Sequence, residues 1–158
     1  MIIVQISNIR KDPVNVTLRD KWELLINIEG QTEVLLESKL FFSESLLIVE
    51  FATELKKWIA KSEGLSFQYE TMDDEEKNIF NIIAVSNDQY QFQSVWEEFK
   101  SVEIYNRLDV VNFIESYIQQ VKDSVQNKLG INLHEKIGLS NYLIGRTIKR
   151  TSVRSNVL

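Results

Sequence analysis

The chain of 158 residues is long enough for one domain that buries about two thirds of the surface its unfolded form exposes. It has 44% hydrophobic and 26% charged residues and no cysteine, which excludes a disordered chain, a disulfide framework and cysteine-ligated zinc. Its charge is divided, because residues 1–135 carry 13 basic and 23 acidic side chains, a net charge of −10. Residues 136–158 carry five basic and no acidic side chains. Residues 1–135, the acidic body, are expected to attract basic partners.

The N-terminal part of the chain is typical of short strands. Residues 2–8 and 14–18 are predicted strands around a turn at Pro13. Apolar residues at every second position predict a half-buried strand over 22–28, followed by a turn and a second strand that extends to Phe42. We therefore predict an antiparallel hairpin with its turn at residues 29–31.

Two segments have the apolar spacing of amphipathic helices. Ser43 is a candidate N-cap for a helix over 44–61, which Gly64 is expected to end. A second helix is predicted from Leu108 to Leu129 because its apolar residues recur at three-and-four spacing. Both helices are expected to pack one face on the core.

Three strand patterns lie between these helices, over residues 65–69, 79–85 and 90–99. Polar turns at 73–76 and 87–88 connect them, which predicts a three-stranded meander. The whole pattern favours an α+β fold in which a mostly antiparallel β-sheet of five to seven strands packs against the two amphipathic helices.

The chain after Gly130 gives a weaker pattern. Its apolar residues fit either one short helix or an added strand, and the end is a basic tail. We predict a single α+β domain over 1–130 and a C-terminal extension over 131–158. The tail resembles a weak contact for nucleic acid or an anionic surface, and the alternatives are a simple soluble end or a contact with an acidic patch of its own or another subunit. Because the acidic body opposes phosphate binding, no nucleic-acid partner is expected.

No arrangement of residues indicates catalysis. His134 is the only histidine, no glycine-rich phosphate loop is present, and 23 carboxylates form pairs by chance too often to mark a site. We predict a non-enzymatic protein without cofactor or metal. The N-terminus lacks the pattern of a signal peptide, and charged residues interrupt the longest apolar stretch, so we expect a cytoplasmic protein that does not contact a membrane.

Two acidic segments are candidate partner-binding sites. One is the densest carboxylate run, whose alternative interpretation is a solvated turn. The other places an aromatic anchor beside two carboxylates, and its alternative is a tryptophan covered by the second helix. The candidate residues are Asp73, Asp74, Glu75, Glu76, Trp96, Glu97 and Glu98.

The order of elements carries a resemblance to a known class. The hairpin, the helix ending in Leu55-Lys56-Lys57-Trp58, the strand Phe67-Gln68-Tyr69-Glu70, the acidic turn and the run from Tyr90 to Phe99 resemble small proteins of Bacillus and its relatives. Those proteins are similar to immunity proteins encoded beside polymorphic or contact-dependent toxins. The resemblance covers about residues 20–125.

This resemblance implies an immunity or antitoxin-like protein that binds a cognate toxin, a basic domain, and neutralises it by occluding its active cleft. Complementary charge would raise the rate of encounter. The alternative is a non-enzymatic interaction or assembly module that forms a homo-oligomer through the C-terminal segment. A monomer and a homodimer are both compatible with the sequence.

Overall fold

A computed structural model of the protein describes residues 1–61, 64–71 and 75–141. The described strands form two antiparallel sheets, one of three strands and one of four. The predicted α+β class is therefore confirmed, with the strands divided between two sheets. In chain order the elements are β1 (Ile2–Lys11), α1 (Lys21–Ile26), β2 (Ile28–Leu36), β3 (Lys39–Leu47), α2 (Ile48–Lys61), β4 (Phe67–Tyr69), β5 (Phe80–Ser86), β6 (Gln89–Gln93), β7 (Tyr105–Asn106), α3 (Arg107–Leu129) and α4 (Leu133–Ile137).

The first sheet has the order β1-β2-β3. Its first strand contains the predicted strand at residues 2–8, but the predicted strand at 14–18 is wrong. There the backbone N–H of Val16 donates to the carbonyl of Pro13 at 3.0 Å, so the chain turns instead of extending. Val14 is 81% exposed, and it contributes little to the core.

The strand predicted over 22–28 is also wrong, because α1 occupies most of it. The Asp20 side chain accepts from the backbone N–H of Glu23 at 2.9 Å, and the Glu23 carboxylate accepts from the N–H of Asp20 at 3.3 Å. This reciprocal capping box satisfies donors that a helix start leaves free. The cap stabilises a helix here although the apolar residues alternate as they do in a strand. In α1 only Leu24 is fully buried.

The hairpin exists but its turn lies later than predicted. Residues 29–31 belong to β2, and the turn is made by Glu37 and Ser38, with φ values of 48° and 67°. Two left-handed residues in a row match the twist of a tight hairpin. Pairing with β2 continues to Leu47, so the helix starts at Ile48 and Ser43 is not its N-cap.

The two long helices are confirmed. Asn106 caps α3 by accepting from the N–H of Asp109 at 2.9 Å, and Gly130 ends the helix with a φ of 68°. Because only a residue that tolerates a left-handed backbone closes a helix in this way, the sequence marks this end clearly. The helix α3 packs on β1 and α2.

The second sheet, β4-β5-β6-β7, begins with the three predicted meander strands. The third of these is shorter than predicted, because β6 ends at Gln93 and residues 94–99 leave the sheet. A short strand at Tyr105 and Asn106 pairs with Gln89 and Tyr90 and leads into α3. This extra strand was not predicted.

Phe80 on β5 lies at the centre of the core. Its ring contacts Phe42 of β3 with centroids 5.2 Å apart, Phe51 of α2 at 5.4 Å and Phe113 of α3 at 6.0 Å. Edge-to-face aromatic pairs add specific packing to the burial of apolar area. Both sheets and both long helices therefore share one core.

After Gly130, the first of the two predicted alternatives is present, a short helix α4. Leu139 is buried, and Lys56 Nζ on α2 donates to Ser140 Oγ at 2.8 Å. Lys122 Nζ on α3 donates to Asn141 Oδ1 at 3.2 Å. This part of the C-terminal segment packs on its own chain, whereas residues 142–158, which include most of the basic tail, lie outside the described residues.

Candidate functional site

The acidic turn between β4 and β5 is only partly described. Asp73 and Asp74 lie outside the described residues. Glu75 and Glu76 are exposed to solvent in the segment that leads to β5. These two carboxylates are therefore accessible to a partner.

A buried serine at the start of the segment that follows β6 makes two of the hydrogen bonds that hold this segment. Ser94 Oγ donates to the carbonyl of Ile79 and accepts from the backbone N–H of Trp96 at 3.0 Å. The carboxylate of Glu97 accepts from the backbone N–H of Ser94 at 3.0 Å. Side-chain hydrogen bonds of this kind replace strand pairing, which explains why β6 ends at Gln93.

Trp96 is half-buried and lines a groove of about 200 Å³ between the two sheets, here named the junction groove. Its walls include Arg10 of β1 and Glu29 of β2, which form an ion pair with Nη2 and Oε2 2.6 Å apart. The complete lining is Arg10, Glu29, Ser45, Leu46, Leu47, Tyr69, Thr71, Ile79 and Trp96. The half-buried Trp96 thus borders a crease where elements distant in sequence meet.

Tyr69 forms part of the base of the junction groove. Its hydroxyl donates to Glu50 Oε2 at 2.9 Å, and both residues are buried. Burial, together with the negative charge of Glu50, raises the pKa of Tyr69 above its ordinary value. The phenol therefore stays protonated and holds the carboxylate of α2 against β4.

Glu50 is a charged residue of α2 that the fold buries, because only 9% of it is exposed. No local signal reveals its partner, because Tyr69 lies 19 residues further along the chain on another element.

The structure brings the two acidic candidate segments together. The backbone N–H of Val95 donates to the carbonyl of Asn78 at 3.2 Å, and Asn78 follows Glu76 by two residues. Exposed Glu98 lies on the same short segment as Trp96. We name the set formed by Glu75, Glu76, Trp96 and Glu98 the acidic surface.

Glu97 differs from the other candidates. It is half-buried, it accepts from the N–H of Ser94, and it lines a second groove on the outer face of the second sheet. Lys77 and Lys100 lie close in sequence to the carboxylates, so the acidic surface is a mixed patch in which negative charge predominates. A partner with clustered basic side chains complements it best.

The junction groove also contains residues that the sequence did not identify as candidate site residues. Arg10, Glu29 and Tyr69 come from three strands that are separated by 19 and 40 positions in the chain. No spacing or motif connects them, because only the meeting of the two sheets places them around Trp96.

The described helices include none with the length and apolar character needed to cross a membrane. Within the same described residues, no three or more histidine, cysteine, aspartate or glutamate side chains group together as metal ligands would. These observations add no cofactor chemistry to the acidic surface.

A protein-family model matches residues 4–127, and its description is a domain of unknown function (DUF7878). The chain therefore belongs to this family. The matched range includes all but the first two residues of the two sheets, all of α2, most of α3 and every candidate residue. No curated protein and no solved structure matches the chain.

Proposed function

We propose that this chain is a cytoplasmic immunity protein that binds a cognate basic toxin domain and neutralises it by occluding its active cleft. One observation carries the proposal, namely the hydrogen bond from Val95 N–H to the Asn78 carbonyl, which joins the segment of half-buried Trp96 and exposed Glu98 to the segment that follows exposed Glu75 and Glu76. Carboxylates attract a basic partner over distance, and a half-buried aromatic ring supplies the contact that holds it.

The size of the junction groove favours a protein partner over a small ligand. Its volume of about 200 Å³ is below the roughly 300–1,000 Å³ of common small-molecule sites. A single side chain of a partner fits such a crease. A lysine or arginine inserted there would lie beside the indole of Trp96, where a cation–π contact adds to the attraction of the carboxylates.

The net charge of the body supports the same kind of partner. Residues 1–135 carry −10, and a basic toxin domain would be drawn towards this field before any contact forms. An inhibitor of this type needs no catalytic group, since covering the toxin's cleft is enough. The resemblance to immunity proteins agrees with this mode of action.

The experiment is a protection assay with the toxin encoded beside this gene. Cells expressing the toxin are supplied with the wild-type protein, with the triple variant E75K/E76K/E98K, or with the control triple variant E54K/D123K/E135K. The control makes the same change of net charge on the helices. We expect the wild type and the control to protect cells and the first variant to fail while it remains folded by circular dichroism.

Two results would contradict the proposal. In the first, cells that express the wild-type protein die as fast as cells without it. In the second, the E75K/E76K/E98K variant protects as well as its control, which would show that the acidic surface is not the binding face.

A further inference from the structure

The second sheet has one face turned away from the core, and this face carries the second groove, with a volume of about 590 Å³. Phe92 on β6 is buried in the core. Because side chains alternate along a strand, its neighbours Gln91 and Gln93 lie on the opposite face. We name the uncharged side chains that line the groove and reach its surface the outer sheet face. They are Gln68, Ile83, Gln91, Gln93, Val95 and Val102.

Strand register places carboxamide side chains in a row on this face. Gln68 pairs with Asn81, and Asn81 pairs with Gln93. The two glutamines at the ends of the row are exposed to solvent. A carboxamide offers both a donor and an acceptor, so one such row is complementary to an identical row on a second copy of the chain.

Exposed valines stand at the border of the same groove. Val102 is 79% exposed and Val95 is 48% exposed, and both line the groove beside half-buried Ile83. Gln91 Nε2 donates to the carbonyl of Ser101 at 2.7 Å, which fixes the backbone next to Val102. Apolar side chains gathered on a surface mark an interaction site. In a two-fold contact, Val102 of each copy would fill the groove of the other.

Charge favours this face for a contact between identical chains. Residues 1–135 carry a net charge of −10, so two copies repel each other wherever their carboxylates meet. The lining of the groove contains one carboxylate, Glu97, and one ammonium group, Lys100, and its net charge is zero. Depletion of charge is also the feature that distinguishes the centre of protein interfaces from the remaining surface.

The size of the sheet predicts a weak dimer. The seven residues of β5 extend over about 23 Å, and four strands about 4.8 Å apart give a width of roughly 17 Å. The resulting area is on the order of 400 Å², about half of the roughly 800 Å² that each partner buries in a stable complex. We therefore expect a dimer that forms only at tens to hundreds of micromolar protein.

We propose that the outer sheet face is the contact surface of a two-fold symmetric dimer of this chain. The two carboxamide rows hydrogen-bond to each other, and Val102 of each copy enters the groove of the other. The proposal is independent of the proposed immunity function, which uses Glu75, Glu76, Trp96 and Glu98. It also differs from the assembly through the C-terminal segment that the sequence left open.

Sedimentation velocity of the full chain, at protein concentrations from about 10 µM to about 1 mM, tests the proposal. The weight-average mass should rise from the 18.5 kDa of one chain towards twice this value. NMR spectra over the same range locate the contact, because the side-chain amide signals of Gln68, Gln91 and Gln93 should shift with concentration. The mass of a single chain throughout the range, or association that leaves these three signals unchanged, would overturn the proposal.

Val102→Glu places a carboxylate in the contact and changes a side chain that is 79% exposed, so the fold should be retained, as circular dichroism would show. Burial of this charge against the other copy should weaken the dimer at least about tenfold. Val14→Glu is the matched control, since it makes the same change at a valine that is 81% exposed and lies between β1 and α1. The control should associate as the wild type does. Equal association of the two variants would refute the assignment of this face.

Discussion

The backbone N–H of Val95 donates to the carbonyl of Asn78 at 3.2 Å, and this bond joins two segments that the sequence separates by 17 residues. Through it the described segment from Glu75 to Asn78, before β5, lies beside the Trp96 segment after β6. The carboxylates and the aromatic anchor can therefore act on the same partner.

Ser94→Ala tests how this surface is held. The substitution removes the donor to the carbonyl of Ile79 and the acceptor for the N–H of Trp96, in a residue that is 8% exposed. Leaving such buried groups unpaired should lower the free energy of unfolding by about 1–3 kcal/mol. Urea unfolding followed by tryptophan fluorescence measures it. The exposed Ser7→Ala is the control, and equal stability of the two variants would contradict this role.

Gln120→Leu tests how the backbone groups at the free edge of the first sheet find hydrogen-bond partners. The Gln120 amide accepts from the N–H of Ile6 at 3.2 Å and donates to the carbonyl of Val4 at 2.7 Å, in the manner of a paired strand. Its loss should cost about 1–2 kcal/mol of stability, and hydrogen exchange at Ile6 should become faster. Neighbouring Gln119→Leu, on the exposed side of α3, should leave that exchange rate unchanged.

Gly30→Ala tests the close approach of β2 to the start of α2. A Cβ added at Gly30 would lie 2.7 Å from Ile9 Cδ1 and 3.1 Å from Ile48 Cγ2. Both isoleucines are buried, so the core must shift to accept the methyl group, at a cost of about 1–3 kcal/mol. Thermal unfolding measures the change. An unaltered melting temperature would mean that the two elements pack less closely than described.

Stability should fall at alkaline pH because of buried phenols. Burial raises the pKa of Tyr69 and Tyr117 above the ordinary value, so the folded state keeps protons that the unfolded state loses above about pH 10. The folded state is therefore favoured below pH 10 and loses this advantage as the pH rises further. Phenolate absorbance should therefore show that at least two of the five tyrosines ionise only as the protein unfolds, whereas ionisation of more than three in folded protein would refute this.

The parts of the fold that the sequence predicts are those with long, regular patterns and marked ends. Helix α3 has a long apolar stripe and ends before Gly130 as the sequence predicts, whereas its capping residue Asn106 was found only in the structure. The turn of the first hairpin was predicted too early in the chain, because both Glu29–Gln31 and Glu37–Ser38 can form a turn. Strand pairing across the sheet decides between them. In α1, six residues give too few turns for periodicity to distinguish helix from strand.

The candidate site could be predicted from the sequence only as a set of exposed charged side chains. Glu75, Glu76 and Glu98 were chosen from local charge, and the structure leaves them exposed. The junction groove depends on how the two sheets meet and on where the chain leaves the second sheet at Ser94. Cross-strand register of this kind is set by long-range packing, so sequence spacing cannot reveal that Asn81 lies between Gln68 and Gln93.

The association rate between this protein and the purified domain of the toxin encoded beside its gene tests the central claim most directly. Stopped-flow mixing should show one-to-one binding whose rate constant falls steeply with added salt, and E75K/E76K/E98K should associate at least about tenfold more slowly than E54K/D123K/E135K. Failure to bind, or equal rate constants for the two variants, would contradict the account of the acidic surface.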